Sequence, residues 1–196
     1  MNELDSLKFS NRFAELPEDL FHKQNWTPFD KPKLIHFNED LAKQLGFPKN
    51  LDPEDLVPYV NGNKSFKNSS PLAMAYAGHQ FGSWVPQLGD GRGILLGQLQ
   101  TKDGLMDLHI KGAGKTPYSR FGDGRAVLRS TIREYLCGEA MHYLNVPSSR
   151  SLIMIGSDEP VFRETTEFGA MMVRVAKTHV RFGHFEYFSH NNKAEF

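Results

Sequence analysis

The sequence has almost no cysteine: Cys137 is the only one in 196 residues. A disulfide cannot form within the chain, which excludes the small secreted modules that disulfides hold together and favours a reducing compartment. Long apolar runs are also missing, and none approaches the roughly 18 residues of a membrane span. The N-terminal residues, which include Glu3 and Asp5, resemble neither a secretory signal nor an Arg-rich transit peptide. We therefore expect a cytoplasmic protein with no membrane partner.

An excess of charge of one sign is absent as well. Lys and Arg together number 23, as do Asp and Glu, so the formal net charge is zero. Broad electrostatic capture of nucleic acid requires a basic surplus, so we expect no nucleic-acid partner, although one focused basic pocket is compatible with this balance. With 39% hydrophobic and 23% charged residues the chain is globular, and its length suits one domain or a domain and a half.

Several signature motifs are missing. The segment Gly112–Thr116 looks like part of a P-loop, but the Gly-x-x-x-x-Gly-Lys-Thr pattern requires glycine where His109 stands. No Gly-x-Gly-x-x-Gly fingerprint of a dinucleotide fold and no Gly-x-Ser-x-Gly nucleophile motif is present. No His-Glu-x-x-His motif or Cys/His spacing occurs, so we expect no zinc site.

The strongest strand pattern predicts a hairpin. Residues 94–100 are apolar, the turn Thr101–Gly104 ends in Asp-Gly, and Leu105–Lys111 returns with alternating apolar and polar residues. The alternation predicts a half-buried strand with Lys111 at its end. Three more strands are predicted at 151–155, 161–165 and 170–176, with a turn at 156–159.

A glycine-rich loop at 112–124 precedes the clearest helix, predicted over 125–144. Its apolar face carries Ile132, Leu136 and Tyr143, and we expect Cys137 in or near the core. Shorter helical segments are predicted at 38–45, from 52 to about 57, at 73–79 and from 181. This order of elements predicts an α+β fold with a largely antiparallel sheet.

Two clusters of glycine and basic residues are candidates for anion binding. In the first cluster, Gly89 and Gly91 allow backbone N–H groups to approach a phosphate, and Arg92 adds a guanidinium fork. The alternative is a tight turn with an exposed arginine. In the second, Lys111 at the end of a strand supplies a compact positive charge before a flexible loop. The alternative there is an ordinary surface lysine.

Acidic and basic residues farther along the chain extend these candidates. Asp123, next to Gly124, is placed to cap the long helix, with a contact to ribose or base as an additional role. Glu134 borders the apolar face of that helix and needs a cation such as Lys111, a pairing typical of protein kinases. Arg174 and Arg181 could clamp a polyphosphate, or could instead form salt bridges with carboxylates such as Glu164 or Glu167.

Six stretches, taken together and in this order, resemble the selenoprotein O (YdiU) family. The resemblance extends from about residue 8 to about residue 190, and its motifs are long and specific. The stretches are Tyr76–Gly82, Pro86–Gly93, Asp107–Arg120, Gly122–Glu134, Pro147–Leu152 and Arg181–Phe188.

The resemblance implies a fold and an activity. The fold is a protein-kinase-like N-lobe with a long αC-type helix, formed by residues 71–196 and wrapped by an N-terminal extension over residues 1–70. The activity is transfer of AMP from ATP to Ser, Thr or Tyr hydroxyls of proteins, with Mg²⁺ or Mn²⁺ in the full-length enzyme. The implied ATP-binding residues are Gly89, Gly91, Arg92, Lys111, Asp123, Gly124, Arg174 and Arg181, with Glu134 as the partner of Lys111.

The chain departs from the family at its end. Family members carry a catalytic Asp, a metal-binding Asn and a metal-binding Asp in a second half, and nothing after Phe188 resembles those motifs. We therefore expect the family's catalytic Asp to lie beyond Phe196. This chain would then be an N-terminal fragment without the C-lobe, with no catalytic or metal-binding residue, and inactive alone. The alternatives are a non-catalytic module that binds a nucleotide or a partner protein, and UMP transfer in the full enzyme.

Overall fold

The computed structural model describes residues 3–191. Its eleven strands are β1 (Phe9–Ser10), β2 (Phe21–Lys23), β3 (Lys33–Phe37), β4 (Leu72–Met74), β5 (Gly78–Gln80), β6 (Ser83–Val85), β7 (Gly93–Thr101), β8 (Gly104–Lys111), β9 (Ala126–Val127), β10 (Arg150–Phe162) and β11 (Thr166–Ala176). Its helices are α1 (Glu39–Leu45), α2 (Val57–Asn61), α3 (Leu128–Tyr143) and α4 (Phe182–His190), with 3-10 turns at Glu3–Ser6, Arg12–Glu15, Glu18–Leu20 and Pro53–Leu56.

One nine-stranded sheet organises the molecule. Seven strands follow the order β2-β4-β7-β8-β11-β10-β3, while β1 pairs with β7 and β9 pairs with β11. Every strand pairing in residues 3–191 is antiparallel, and β5 and β6 form a separate two-stranded sheet. The predicted α+β class with a largely antiparallel sheet is therefore confirmed.

The hydrophobic core joins the N-terminal segments to the sheet. Leu45 of α1 and Val60 of α2 are buried in the same cluster as Ile94 of β7 and Ile153 of β10. The indole of Trp26 donates to the Val60 carbonyl at 2.9 Å, which fixes the segment after β2 over α2. No helix within residues 3–191 combines the length and apolar composition that crossing a membrane demands.

The predicted hairpin is confirmed, but its second strand is more deeply buried than the alternation indicated. Thr101 and Gly104 pair at the turn, and β8 ends at Lys111 as expected. Asp107 and His109 are nevertheless 3% and 0% exposed. The segment after β11 covers this face, because His179 stacks on His109 at 4.8 Å and its backbone N–H donates to Asp107 at 2.6 Å. The prediction of a half-buried strand was therefore wrong.

The long helix starts later than predicted, and Asp123 does not cap it. Residues 126–127 form β9 against β11 instead, and α3 begins at Leu128 with Val127 as a cap that makes no side-chain hydrogen bond. Asp123 accepts from the Arg125 backbone N–H at 2.9 Å and forms a two-point ion pair with Arg163 at 2.7 and 2.9 Å. The Asp123 carboxylate therefore fixes the glycine-rich loop to the turn between β10 and β11.

The face of α3 that meets the sheet is not the apolar face predicted from the sequence. Thr131 is the buried residue of the helix, and a Cβ added at Gly138 would lie 2.9 Å from a backbone oxygen of the following loop. Leu136 and Tyr143 are instead 62% and 71% exposed, and Cys137 is exposed rather than near the core. The small side chains on this face let α3 approach the sheet closely, so the size of the side chains decides which face packs on the sheet more than their hydropathy does.

Two further segments differ from the predicted secondary structure. The predicted turn at 156–159 lies inside β10, where the pairing slips between Gly156 and Pro160, and the chain reverses at Arg163–Thr165. An irregularity of this kind bends a strand without ending its pairing. Residues 73–79 are not helical, because Leu72–Met74 form β4 between β2 and β7 of the sheet.

The short helices are largely as predicted. Asn38 caps α1 by accepting from the Leu41 backbone N–H at 3.1 Å, and Gly46 ends the helix with φ +83°. The segment predicted as helical from residue 52 is a 3-10 turn, Pro53–Leu56, that continues into α2. The aromatic segment from residue 181 forms α4 as predicted, with Arg181 as its N-cap residue.

Candidate functional site

A cavity of about 200 Å³ opens where β7 begins and β8 ends. Five of the predicted ATP-binding residues line this cavity, although four different parts of the chain supply them. The lining residues are Tyr76, Asp90, Gly91, Arg92, Gly93, Lys111, Arg174 and Arg181.

Lys111 and Glu134 form the ion pair that the sequence predicted. The Lys111 ammonium donates to Glu134 Oε2, and the lysine side chain is only 15% exposed, so it is not an ordinary surface lysine. Burial lowers the pKa of Lys111, while the hydrogen bond and charge of Glu134 act in the opposite direction. Glu134 therefore keeps a partly buried ammonium charged beside the cavity.

Arg174 links Glu134 to the interior of the sheet. Its Nη1 lies 3.7 Å from Glu134 Oε1, and its Nη2 donates to His109 Nδ1 at 2.9 Å. Burial lowers the pKa of Arg174, and the charge of Glu134 opposes that shift. A guanidinium stays protonated across the physiological pH range, so Arg174 contributes a fixed positive charge in a confined space.

Asp90 carries the second carboxylate of the site and binds Arg181. The Asp90 side chain is 2% exposed, and its Oδ1 lies 3.4 Å from Arg181 Nη1. Burial alone would raise the pKa of Asp90, but His109, Arg181 and the Met74 backbone N–H together hold it well below its usual range. The Arg181 guanidinium also lies over the Tyr76 ring, 4.5 Å from its centre.

The alternative ion pairs considered for the two arginines are absent from the described residues. Glu167 pairs with Arg129 at 2.9 Å instead of binding Arg174 or Arg181. The partner of Arg181 is Asp90, which lines the cavity, and the partner of Arg174 is Glu134, which also pairs with the lining residue Lys111.

Positive charge exceeds negative charge at the cavity. Four cationic side chains meet two carboxylates, Asp90 and Glu134, and each carboxylate is already shared between partners. A surplus of fixed positive charges in a partly buried cleft attracts anions. The guanidinium group of arginine can also donate two parallel hydrogen bonds to phosphate oxygens. The arrangement can hold a phosphate group of a nucleotide. The cations are Arg92, Lys111, Arg174 and Arg181.

The remaining predicted residues line a neighbouring cavity of about 350 Å³. Gly89, Asp123 and Gly124 are all on its wall, together with the Tyr118 ring. This cavity shares Gly91 and Arg92 with the smaller one, so all eight predicted ATP-binding residues lie around two adjoining spaces.

The glycines just before β7 and at its first residue have a packing role that the sequence did not reveal. A Cβ at Gly89, where φ is +132°, would lie 2.5 Å from the Tyr118 ring, and one at Gly93 would lie 2.3 Å from the His109 ring. A Cβ at Gly91 would lie 2.8 Å from the Tyr118 carbonyl. These glycines let the glycine-rich loop and a buried histidine approach the cavity wall closely.

Asp90 and His109 belong to the site, but the sequence analysis did not identify them as functional residues. Asp90 stands between two candidate glycines, and His109 shares the strand face of Lys111 because side chains alternate along β8. These two sequence positions could have identified Asp90 and His109 as candidates for the site. A single sequence gave no sign that Asp90 and His109 would meet at 3.1 Å.

The described residues do not fit a divalent metal. In residues 3–191 no three His, Cys, Asp or Glu side chains come together as a ligand set. The two carboxylates nearest the phosphate-sized cavity, Asp90 and Glu134, are each engaged by cationic or histidine partners. Proteins usually hold Mg²⁺ through one or two carboxylates together with substrate phosphates and water, and both carboxylates here already have cationic or histidine partners.

The family resemblance predicts that the catalytic Asp lies after the last residue of this chain. Phe196, beyond which that Asp was expected, lies outside the described residues 3–191. The same holds for the boundary at residue 196 that was expected for the nucleotide-binding lobe. The absence of a catalytic residue from this chain therefore stays a prediction.

The stability of the fold is expected to decrease as the pH falls from about 6.5 towards 4. Burial, with the nearby arginine charges, lowers the pKa of both His109 and His184 to about 4 from the ordinary 6.5. The unfolded chain therefore binds protons in this interval that the folded chain does not, which favours unfolding. Thermal denaturation at several pH values would check this. His184→Gln should reduce the pH slope, whereas the exposed control His22→Gln should leave it unchanged.

Known proteins are similar to this chain over nearly its whole length. A family described as "Protein adenylyltransferase SelO" matches residues 3–196. "Protein nucleotidyltransferase YdiU" of Vibrio atlanticus (strain LGP32) is 52% identical over 195 residues, which cover 98% of this chain and 40% of the relative. Its counterpart in Aliivibrio salmonicida (strain LFI1238) is 54% identical over 196 residues, covering 98% and 40%. The chain thus spans about two fifths of the length of these curated relatives.

Proposed function

Because the chain belongs to the SelO family of protein nucleotidyltransferases, we propose that it supplies the nucleotide-binding part of a protein adenylyltransferase. The observation that carries this proposal is the cavity in which Lys111, Arg174 and Arg181 converge with a surplus of positive charge. Such a site suits the triphosphate of ATP. The order of strand, lysine, helix and glutamate also supports a protein-kinase-like N-lobe, in which Lys111 and Glu134 are the strand–helix pair.

In this proposal the three cations bind the β- and γ-phosphates. A Ser, Thr or Tyr hydroxyl of a protein substrate attacks the α-phosphorus, a new oxygen–phosphorus bond forms, and the bond to the β-phosphate oxygen breaks. AMP is then attached to the substrate and pyrophosphate leaves. Lys111, Arg174 and Arg181 neutralise the charge that develops on the departing pyrophosphate, which is the electrostatic contribution that preorganised cations make best.

We assign the nucleoside to the neighbouring cavity of about 350 Å³. Asp123 and Gly124 line that cavity, and Asp123 is held in place by Arg163. Their position next to Arg92 allows base or ribose to lie there while the phosphates reach Lys111. The base that abstracts the hydroxyl proton, and the ligands of Mg²⁺ or Mn²⁺, are proposed to come from residues other than those described.

Calorimetric titration of this chain with ATP, ADP and AMP tests the proposal. We expect affinity to rise with the number of phosphates, because the cationic cavity contacts the polyphosphate. A parallel titration with UTP compares AMP transfer with the alternative of UMP transfer. Incubation with α-labelled ATP and a protein substrate measures transfer directly, and we expect binding without incorporation. Equal affinity for AMP and ATP would contradict the assignment of the cavity, and clear incorporation would contradict the need for further residues.

A further inference from the structure

A buried chain of oriented hydrogen bonds connects the two arginines of the site. Arg174 Nη2 lies 2.9 Å from His109 Nδ1, and His109 Nε2 lies 3.1 Å from Asp90 Oδ2. The other oxygen of Asp90 faces Arg181 Nη1 at 3.4 Å. The His109 ring is 0% exposed, so it links the two arginines from inside the sheet.

The direction of these hydrogen bonds allows only one protonation state of His109. A guanidinium can donate hydrogen bonds but cannot accept them, so His109 Nδ1 must accept and cannot carry a proton. The proton is therefore on Nε2, which donates to the Asp90 carboxylate. Neutral His109 agrees with its burial and with the parallel stacking of His179 on its ring. Asp90 thus selects the tautomer that gives Arg174 an acceptor.

We infer that Asp90 and His109 are positioning residues that aim Arg174 and Arg181 at the polyphosphate. His109 fixes one end of the Arg174 guanidinium while Glu134 fixes another, and Asp90 restrains Arg181 directly. Neutral His109 orients Arg174 without adding a negative charge that would compete with the phosphates. This inference rests on the proposed function, since it states how the nucleotide cavity is held ready.

The local packing is built around this link. The His109 ring lies against Gly93, where an added Cβ would approach the ring to 2.3 Å. Met74 also donates its backbone N–H to Asp90 Oδ2 at 3.2 Å, and Thr116 donates its hydroxyl to the Asp90 carbonyl at 2.8 Å. The Asp90 carboxylate is therefore fixed before any ligand arrives, which reduces the ordering that binding requires.

Two substitutions separate the two hydrogen bonds of His109. The side-chain oxygen of asparagine can occupy the position of Nδ1 and accept from Arg174, so His109→Asn retains that bond. Glutamine reaches the position of Nε2 and donates to Asp90, so His109→Gln loses the acceptor for Arg174. We expect His109→Gln to weaken ATP binding roughly tenfold, the scale of one hydrogen bond to a charged group, while His109→Asn stays within about threefold of the wild type. Binding of AMP should change little in either variant.

A double-mutant cycle distinguishes positioning from a general structural role. If His109 acts through Arg174, then His109→Gln should have almost no further effect on ATP affinity in an Arg174→Ala background. Leu45→Val is the control, because it removes core volume on α1 and lines none of the cavities described. A tenfold penalty that persists in the Arg174→Ala background would overturn the inference.

Two further measurements keep the test decisive. If His109→Gln does not fold, the cycle of Asp90→Asn with Arg181→Ala replaces it, with the same expectation of non-additivity. Nitrogen NMR of the side chains measures the positioning without ATP. In the wild type, His109 should be the neutral Nε2–H tautomer, and the two Nη atoms of Arg174 should give separate signals. These signals should merge in His109→Gln and stay separate in His109→Asn. Unchanged Arg174 signals in His109→Gln would refute the inference. Wild-type protein that shows this NMR pattern but does not bind ATP would refute the proposed function alone.

Discussion

Replacing Arg174 with alanine is expected to weaken ATP binding by this chain by roughly a hundredfold. Hydrogen bonds to charged groups contribute about 1.5–3 kcal/mol each, and Arg174 offers a phosphate more than one donor from a largely buried position. The substitution also removes one of the two cationic partners of Glu134, so that Lys111 alone balances its negative charge, and it leaves His109 Nδ1 without its donor. Calorimetry with ATP measures the loss, and Lys111→Ala is expected to give a loss of similar size.

Controls separate the loss of a specific cation from the loss of net charge. Lys115 is exposed on the glycine-rich loop and lines none of the cavities described, so Lys115→Ala removes one positive charge without altering the site. Its ATP affinity should stay within about twofold of the wild type, because exposed charges are screened by salt. Equal losses in Lys115→Ala and Arg174→Ala would mean that the cavity acts only through overall charge, contrary to the assignment of Arg174.

The sequence predicted those parts of the fold that depend on local rules. The β7–β8 hairpin follows from an Asp-Gly turn between apolar strands, and α1 follows from Asn38 at its start and Gly46 at its end. The face of α3 did not follow from such a rule. Apolar periodicity located Leu136 on an apolar stripe, but the sheet accepts the stripe that contains Thr131, because only small side chains fit there.

The site was predictable where a residue type alone implies its chemistry. Lys111 and Glu134 were paired from their positions on a strand and the next helix. Residue type left Arg174 and Arg181 with two alternatives, a polyphosphate clamp or salt bridges, and the family resemblance implied the first. The partners that hold those arginines were not predictable. Asp90 and His109 are separated by 19 residues in sequence, and their contact depends on the pairing of β7 with β8.

Gly112 connects the stability of the fold to the function of the site, and its substitution is expected to have the second large effect. Gly112 directly follows Lys111 and has φ +88°, and a Cβ there would lie 2.2 Å from the Ala170 carbonyl oxygen of β11. An alanine must therefore adopt left-handed backbone and also push β8 away from β11. We expect Gly112→Ala to lower the free energy of unfolding by about 3–5 kcal/mol, from roughly 1–2 for the backbone conformation and the rest for overpacking.

Gly46 is the matched control for this substitution, because it has nearly the same backbone without the collision. Its φ is +83°, and nothing lies within 4 Å of an added Cβ. Gly46→Ala should therefore lose only the roughly 1–2 kcal/mol of the left-handed conformation, and it should bind ATP like the wild type. Denaturant unfolding of both variants measures the difference. Equal losses would show that the sheet absorbs the added methyl at Gly112.

ATP affinity of the same two variants then shows whether the site depends on this strand junction. Lys111 pairs with Met172 of β11, two residues from Arg174, so a shift of β8 away from β11 moves the lysine relative to the arginine. Gly112→Ala protein that remains folded at low temperature should therefore bind ATP more weakly than Gly46→Ala protein. Strong binding in folded Gly112→Ala would mean that Lys111 can adjust its side chain to the displaced strand. The converse result would show that the close approach at Gly112 fixes the distance between the two cations that the phosphates bridge.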